Sequence, residues 1–283
     1  MTSKADTLFD EANKLFIKSI SKSISKSISL PIVKKNNMLK EIILLSEASA
    51  LIYLNYGALF CALKSYRLKA HAEKEMKADI DYAVTMIRIG DISRSIDDYM
   101  KAYKVFKKCK SEIDLFNVYK KIINCCHGSS TFIIRFSLKV LPNVSVFTYQ
   151  IKEILAKAYF SKQCYWESRL LLEEIVDNYI NYPLKKRLCN HFIFRIILSW
   201  LATGNISKAR SAINYYSSLS SYFSNSIKAE LGFIILEFIN DESKYCKLLD
   251  RLDMFRLAYC DDNGDGDDND EHFTIILLKF IYF

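Results

Sequence analysis

Apolar residues recur at helical spacing from the first turn of the chain. Leu8, Ala12, Leu15 and Phe16 fall on one face of a helix, with Asp10 and Glu11 on the other. The same period predicts a second helix over 39–56 and a third over 59–77. Between the first two runs SISKSISKSIS, residues 19–29. Ile20, Ile24 and Ile28 stand four apart there, as do Lys18, Lys22 and Lys26. That spacing fits an interfacial stripe of apolar anchors and cations, or low-complexity sequence with no role.

The most informative passage is DIDYAVTMIRIGDISRSIDDYMKAYKVFKK, 79–108. Gly90 is expected to separate two amphipathic helices, with the small residue Ser95 early in the second and Tyr99 and Ala102 after it. The order recurs in FRIILSWLATGNISKARSAINYYSSL, where Gly204 and Ile206 stand for Gly90 and Ile92, Ala209 for Ser95, and Ile213 for Tyr99. A weaker copy, AKAYFSKQCYWESRLLLEEI, has Ser168 at the small position and Leu172 at the bulky one. Helix, tight turn, and a second helix with a small residue facing the first make up a tetratricopeptide-type hairpin. Each hairpin leaves an apolar face that only stacking covers. The segment 124–147 fits this grammar least, because a Gly-Ser-Ser turn and Pro142 bracket a short β-branched run.

Composition narrows the class. Seven glycines and three prolines in 283 residues are too few for the turns of an all-β or doubly wound chain, so the expected fold is all-α. A hydrophobic fraction of 51% excludes general disorder. The net charge of +8 points to acidic partners. Basic residues alternate with acidic ones, however, and beyond the Lys/Ser stretch and PLKKR no basic run is evident, which disfavours nucleic acid. Eight scattered cysteines without a Cys-x-x-Cys pair fit reduced thiols and a cytoplasmic protein. The N-terminus lacks a signal-peptide pattern, and the most apolar run, HFIFRIILSWLA, is short and broken by Arg195.

Enzyme chemistry finds no constellation. Cys125, Cys126 and His127 are adjacent, so helical geometry points them about 100° apart rather than at one another. The histidines and cysteines have no zinc spacing, and no glycine-rich phosphate loop occurs. In DDNGDGDDND, Asp261, Asn263, Asp265 and Gly266 match the start of a calcium loop. The position of its closing glutamate is His272, so an acidic insertion over 261–271 is the better reading. No catalytic residue, metal or cofactor is expected.

GDISRSIDDYMKAYKVF and YPLKKRLCNHFIFRIILSWLATGNISKARSAINYY, followed by LDRLDMFRLAY and HFTIILLKF, resemble segments of the soluble NSF attachment protein (SNAP) family, in either its alpha or its gamma branch. The resemblance implies stacked tetratricopeptide-like hairpins over 1–220, wound into a right-handed superhelix, with a membrane-proximal loop at 17–32. A C-terminal helical bundle over 221–283 would contain the acidic loop.

It also implies an adaptor that binds the acidic four-helix bundle of a SNARE complex and recruits the NSF-type hexameric ATPase that takes it apart, in vesicle fusion and intracellular protein transport. Such a protein is cytoplasmic and peripherally membrane-associated. By position, Lys186 and Arg195 match the family's basic residues, Lys152, Lys157 and Lys228 lie beside others, and Lys120 and Lys121 lie close to a further one. Glu237, Asp241 and Glu242 match the acidic patch that meets NSF. Ile20, Ile24, Ile28 and Leu30 fall where the family touches an anionic membrane. The resemblance departs at the end: where the family carries a polar acidic tail after its last helix, the acidic residues here come before the final segment, at 261–271, and Lys279 to Phe283 is largely apolar, with Tyr282 at the position of the family's leucine. The alternative is a generic tetratricopeptide-type scaffold subunit of a larger complex.

Overall fold

The computed structural model describes residues 2–24, 32–126, 128–241, 247, 248 and 250, and among them all regular structure is helical. In chain order the helices are α1 (Thr2–Ile24), α2 (Ile32–Asn55), α3 (Leu59–Glu75), α4 (Asp79–Ser93), α5 (Ile96–Cys109), α6 (Glu112–Cys125), α7 (Ser130–Val140), α8 (Thr148–Ser161), α9 (Tyr165–Tyr179), α10 (Cys189–Ala202), α11 (Ile206–Leu219), the single turn α12 (Ser221–Ser224) and α13 (Ile227–Asn240). Most pack mainly on their neighbours in sequence, and α13 packs on α11 and α10, so the all-α class holds with helices stacked hairpin by hairpin.

One backbone device makes five of the hairpins. Gly57, Lys77, Lys110, Gln163 and Gly204 each adopt a positive φ at the end of a helix. At each, the N–H of the left-handed residue donates to the carbonyl three positions back, and the next N–H donates five back. Examples are Gly57 to Leu54 (3.0 Å) with Ala58 to Tyr53 (2.9 Å), and Gly204 to Leu201 (2.8 Å) with Asn205 to Trp200 (2.9 Å). These are Schellman closures, which satisfy the last carbonyls of the helix. The residue that completes each one also accepts the first bond of the following helix, as in Ala62 N–H to Ala58 and Ala209 N–H to Asn205. The chain therefore reverses within three residues, and consecutive helices run antiparallel at close range.

Two turn expectations change. Gly90 lies inside α4, one turn before its end, and the reversal to α5 falls on Arg94, at φ 52°. Ser95 is the N-cap residue of α5 rather than a packed small position. Gly204 does occupy its turn, and Ser168 and Ala209 are fully buried as expected. The Ser168 hydroxyl donates to the Ala156 carbonyl at 2.9 Å, joining α9 to α8. The segment 124–147, which fits the hairpin pattern least, holds α7 and a 3-10 turn, Leu141–Asn143.

The chain forms two compact units. Unit 1 is Met1–Gly128 with Asn143–Val146, unit 2 is Ser129–Pro142 with Phe147–Phe283, and the expected 220/221 boundary falls inside unit 2. In unit 1, Ala12, Leu39, Ile42, Leu68 and Ala72 pack between α1, α2 and α3. The Ser49 hydroxyl donates to the Ala5 carbonyl at 2.9 Å, so the start of α1 meets the end of α2. In unit 2, α10 is buried on all sides from Phe192 to Ser199, which suits a helix apolar around its circumference. Arg169 of α9, also buried, lies 3.5 Å from the ring centre of Trp200 and 4.3 Å from that of Trp166.

Residues 17–24 continue α1 and Ile32 begins α2, so the described part of the expected loop at 17–32 is helical, and 25–31 lie outside the described residues. Ile28 and Leu30 lie outside the described residues, as do Glu242, His127, the acidic loop 261–271 and the C-terminal segment. Among the described residues no helix is long and apolar enough to cross a membrane.

Candidate functional site

The basic positions separate by exposure. On α6, Lys120 is exposed above the Phe116 ring at 5.0 Å. Lys121 pairs with Asp91 of α4, which also accepts the Tyr99 hydroxyl at 2.7 Å. In unit 2, Lys152 of α8 is held by Glu174 of α9, and Lys157 lies 3.7 Å from Glu153 on its own helix. Lys186 is half-buried between exposed Lys185 and Arg187 in the turn before α10.

Arg195 and Lys228 are 7% and 6% exposed, which corrects the expectation that they display charge on a basic face. The reason is local. α10 is the central helix of unit 2, and Lys228 in the first turn of α13 points at His191 of α10, with Nζ 3.3 Å from Nδ1. Three of the positions selected by resemblance thus converge on one imidazole. Burial first, then the charges of Arg195, Lys228 and Lys157, depress the His191 pKa to about 2. Burial, with Arg195 adding to it, lowers Lys228 to about 8. The imidazole therefore stays neutral beside these cations.

A second charged centre, not anticipated from the sequence, joins three helices of unit 1. Lys69 of α3 lies 2.9 Å from Glu47 of α2 and 3.6 Å from Glu73 on its own helix. Arg88 of α4 lies 2.5 Å from the other oxygen of Glu47. Burial raises the Glu47 carboxyl, but the hydrogen bonds from Lys69 and Arg88 outweigh it and leave the pKa lowered. Burial pushes the Glu73 carboxyl up, against the pull of Lys69. The chemistry is that of a structural clamp, because a buried lysine removed from its carboxylates costs several kcal/mol, of order 3–5.

A basic run outside the positions matched by resemblance stands on α5. KAYKVFKKCK places Lys101, Lys104, Lys107, Lys108 and Lys110 on the solvent side of α5 and its end, and all are exposed. The spacing was visible: buried Tyr99, Ala102, Tyr103 and Phe106 mark the opposite face.

Of the acidic positions, Glu237 pairs with Lys247 at 3.0 Å. Asp241 is exposed and ends α13, its N–H donating to the Glu237 and Phe238 carbonyls. Ile20 and Ile24 belong to the last turns of α1. Burial, more than the neighbouring Cys125, raises the Cys126 thiol, whose Sγ lies 2.9 Å from the Ile122 carbonyl. Among the described residues no group of three potential metal ligands occurs. No protein-family model matches the chain, and no curated protein matches its sequence.

Proposed function

We propose that the protein is a SNAP-like adaptor. It would be a non-catalytic stack of tetratricopeptide-like hairpins that grips the acidic exterior of a SNARE four-helix bundle and recruits an NSF-type hexameric ATPase. The observation that carries the reading is the repeated hairpin array with lysines left exposed on successive helices, Lys104 on α5 and Lys120 on α6. Rigid helices hold such cations at fixed spacing, and a charged face of this kind steers and orients an acidic partner.

Arg195 and Lys228 act indirectly in this reading, by shaping the helices of unit 2. Lys186 remains as a matched contact, and Lys120 and Lys121 as contacts close to a further basic position of the family, all on or near the surface; Glu237 and Asp241 remain as contacts for the ATPase. Right-handed winding of the hairpins belongs to the same proposal, as does peripheral attachment to a membrane from the cytoplasm.

The test is capture from detergent-solubilised membranes with the ATPase held inactive. Assembled SNARE complexes should be retained together with the ATPase. Recovery of neither, with the protein folded, rejects the reading. A scaffold subunit is the alternative, favoured by Tyr56, Leu59 and Phe60, which are exposed around the α2–α3 turn.

A further inference from the structure

The antiparallel order of unit 1 brings alternate connections to one edge. The end of α1 and the start of α2 lie there, followed by the α3–α4 turn and the α5–α6 turn. Specific contacts tie them together. Lys35 near the start of α2 lies 3.3 Å from Glu75 at the end of α3, and Lys108 at the end of α5 lies 3.3 Å from Asp79 at the start of α4. Glu112 at the start of α6 accepts hydrogen bonds from the Ser145 and Val146 N–H groups at 2.9 and 3.1 Å, which adds the 143–146 segment to the same edge.

This edge is rich in lysine. Lys34 and Lys35 come from α2, Lys74 and Lys77 from the α3–α4 turn, and Lys107, Lys108 and Lys110 from the α5–α6 turn. Lys77 and Lys110 are the left-handed turn residues themselves, so the backbone aims them outward from the hairpin tips. Against these seven lysines stand five carboxylates, Glu75, Asp79, Asp81, Glu112 and Asp114; Glu75 and Asp79 each face a lysine of the edge, and Glu112 is taken up by Ser145 and Val146.

Between the lysines the edge exposes single aliphatic side chains. Val33 is 72% exposed, Ile80 57%, Ile113 63% and Val146 70%, each from a different connection. The opposite edge also exposes apolar residues, but Asp91, Asp97 and Asp98 lie there, with Asp91 paired to Lys121 and Asp98 to Lys101. Among the described residues, the first edge combines scattered aliphatics with an excess of lysines over carboxylates.

We propose that this lysine-rich edge of unit 1 docks on an anionic lipid bilayer, with Val33, Ile80, Ile113 and Val146 entering the headgroup region. The arrangement favours a lipid surface over an acidic helix. Its aliphatics sit at the tips of separate turns, which suits a broad, soft surface, whereas a helix partner needs a groove with one continuous stripe. Each lysine near such a surface strengthens binding about fivefold. The proposal deepens the membrane contact of the adaptor reading and places it on folded turns as well as on the 19–29 repeat.

The experiment is flotation of the full-length protein with protein-free vesicles of phosphatidylcholine containing about 30% phosphatidylserine, beside vesicles of phosphatidylcholine alone. The protein should float with the anionic vesicles only. The variant Lys77→Gly/Lys107→Ser/Lys108→Ser/Lys110→Gly should lose affinity by at least a hundredfold while keeping its helicity, because glycine suits both left-handed turn positions. Ile113→Ser/Val146→Ser should weaken flotation without changing its salt dependence. Undiminished flotation of the lysine variant overturns the proposal. So does equal binding to neutral vesicles, or complete loss on Ile20→Ser/Ile24→Ser/Ile28→Ser alone. Retention of an acidic coiled coil through these lysines, with no vesicle binding, assigns the edge to protein instead. Since no SNARE is present, a failure here leaves the SNARE reading standing, and failed SNARE capture leaves this edge standing.

Discussion

Gly90 of α4 lies under the ring of Tyr99 of α5, so close that a β-carbon on Gly90 would stand 2.6 Å from Cε1 and 2.9 Å from Cζ. The ring cannot move aside freely, because its hydroxyl donates to Asp91 at 2.7 Å and Asp91 is also paired with Lys121. A helical glycine is otherwise a cost, of about 1 kcal/mol against alanine. Here its missing side chain is what lets α5 pack on α4.

Gly90→Ala should therefore destabilise the protein. Overpacking costs about 1–3 kcal/mol and the helix propensity gain returns about 1, leaving a net loss of up to about 2 kcal/mol. Gly90→Ala/Tyr99→Leu should recover part of it. Chemical denaturation of the three proteins checks this; a single variant as stable as the parent would show that the ring relocates without penalty.

This pair also marks how far the sequence could be read. The amphipathic periods of α4, α5, α10 and α11 were legible, and so was the stacking they require. The role of Gly90 was not, because glycine between two apolar runs looks the same as a turn or as a packing notch. The true reversals at Lys77, Arg94, Lys110 and Gln163 use residues with no turn signature, and at Lys77, Lys110 and Gln163 the left-handed conformation is closed by backbone hydrogen bonds. Buried Arg195 and Lys228 were unreadable for a related reason. A lysine or arginine on a helix carries no mark of which face a later helix will cover, and α13 covers α10 from about thirty residues away in sequence.

The left-handed turns yield a second prediction. A side chain at positive φ costs about 1 kcal/mol relative to glycine, partly offset by the freedom glycine adds to the unfolded chain. Lys77→Gly, Lys110→Gly and Gln163→Gly should each raise stability by about 0.5 kcal/mol. Gly204→Ala should lower it by about 1 kcal/mol, since its φ is 71°. Thermal unfolding monitored by circular dichroism reads both signs.

The His191 environment predicts a pH dependence. Its folded pKa lies at about 2, below the ordinary 6.5, because burial and the cations Arg195, Lys228 and Lys157 oppose protonation. Between those values the unfolded chain binds a proton that the folded one does not, so stability rises with pH across that window and falls on acidification below 6.5. Lys228, lowered to about 8 from 10.5, acts in the same sense at alkaline pH, with stability rising from about 8 upward. His191→Gln should flatten the acid limb while leaving the alkaline limb in place. Denaturation midpoints from pH 4 to pH 10 test this, and an unchanged acid limb would remove His191 from the explanation.

The adaptor reading is tested most directly by the affinity of the purified protein for a purified, assembled SNARE four-helix bundle, measured by fluorescence anisotropy as ionic strength rises. Between about 0.05 M and about 0.3 M salt the affinity should fall steeply, because cations on an exposed face are screened over distances of about 10 Å or less. Lys104→Glu/Lys120→Glu should weaken binding by about tenfold or more at low salt, chiefly through slower association, with the helical spectrum unchanged. Binding that is absent, or that ignores both salt and the double charge reversal, would contradict the account.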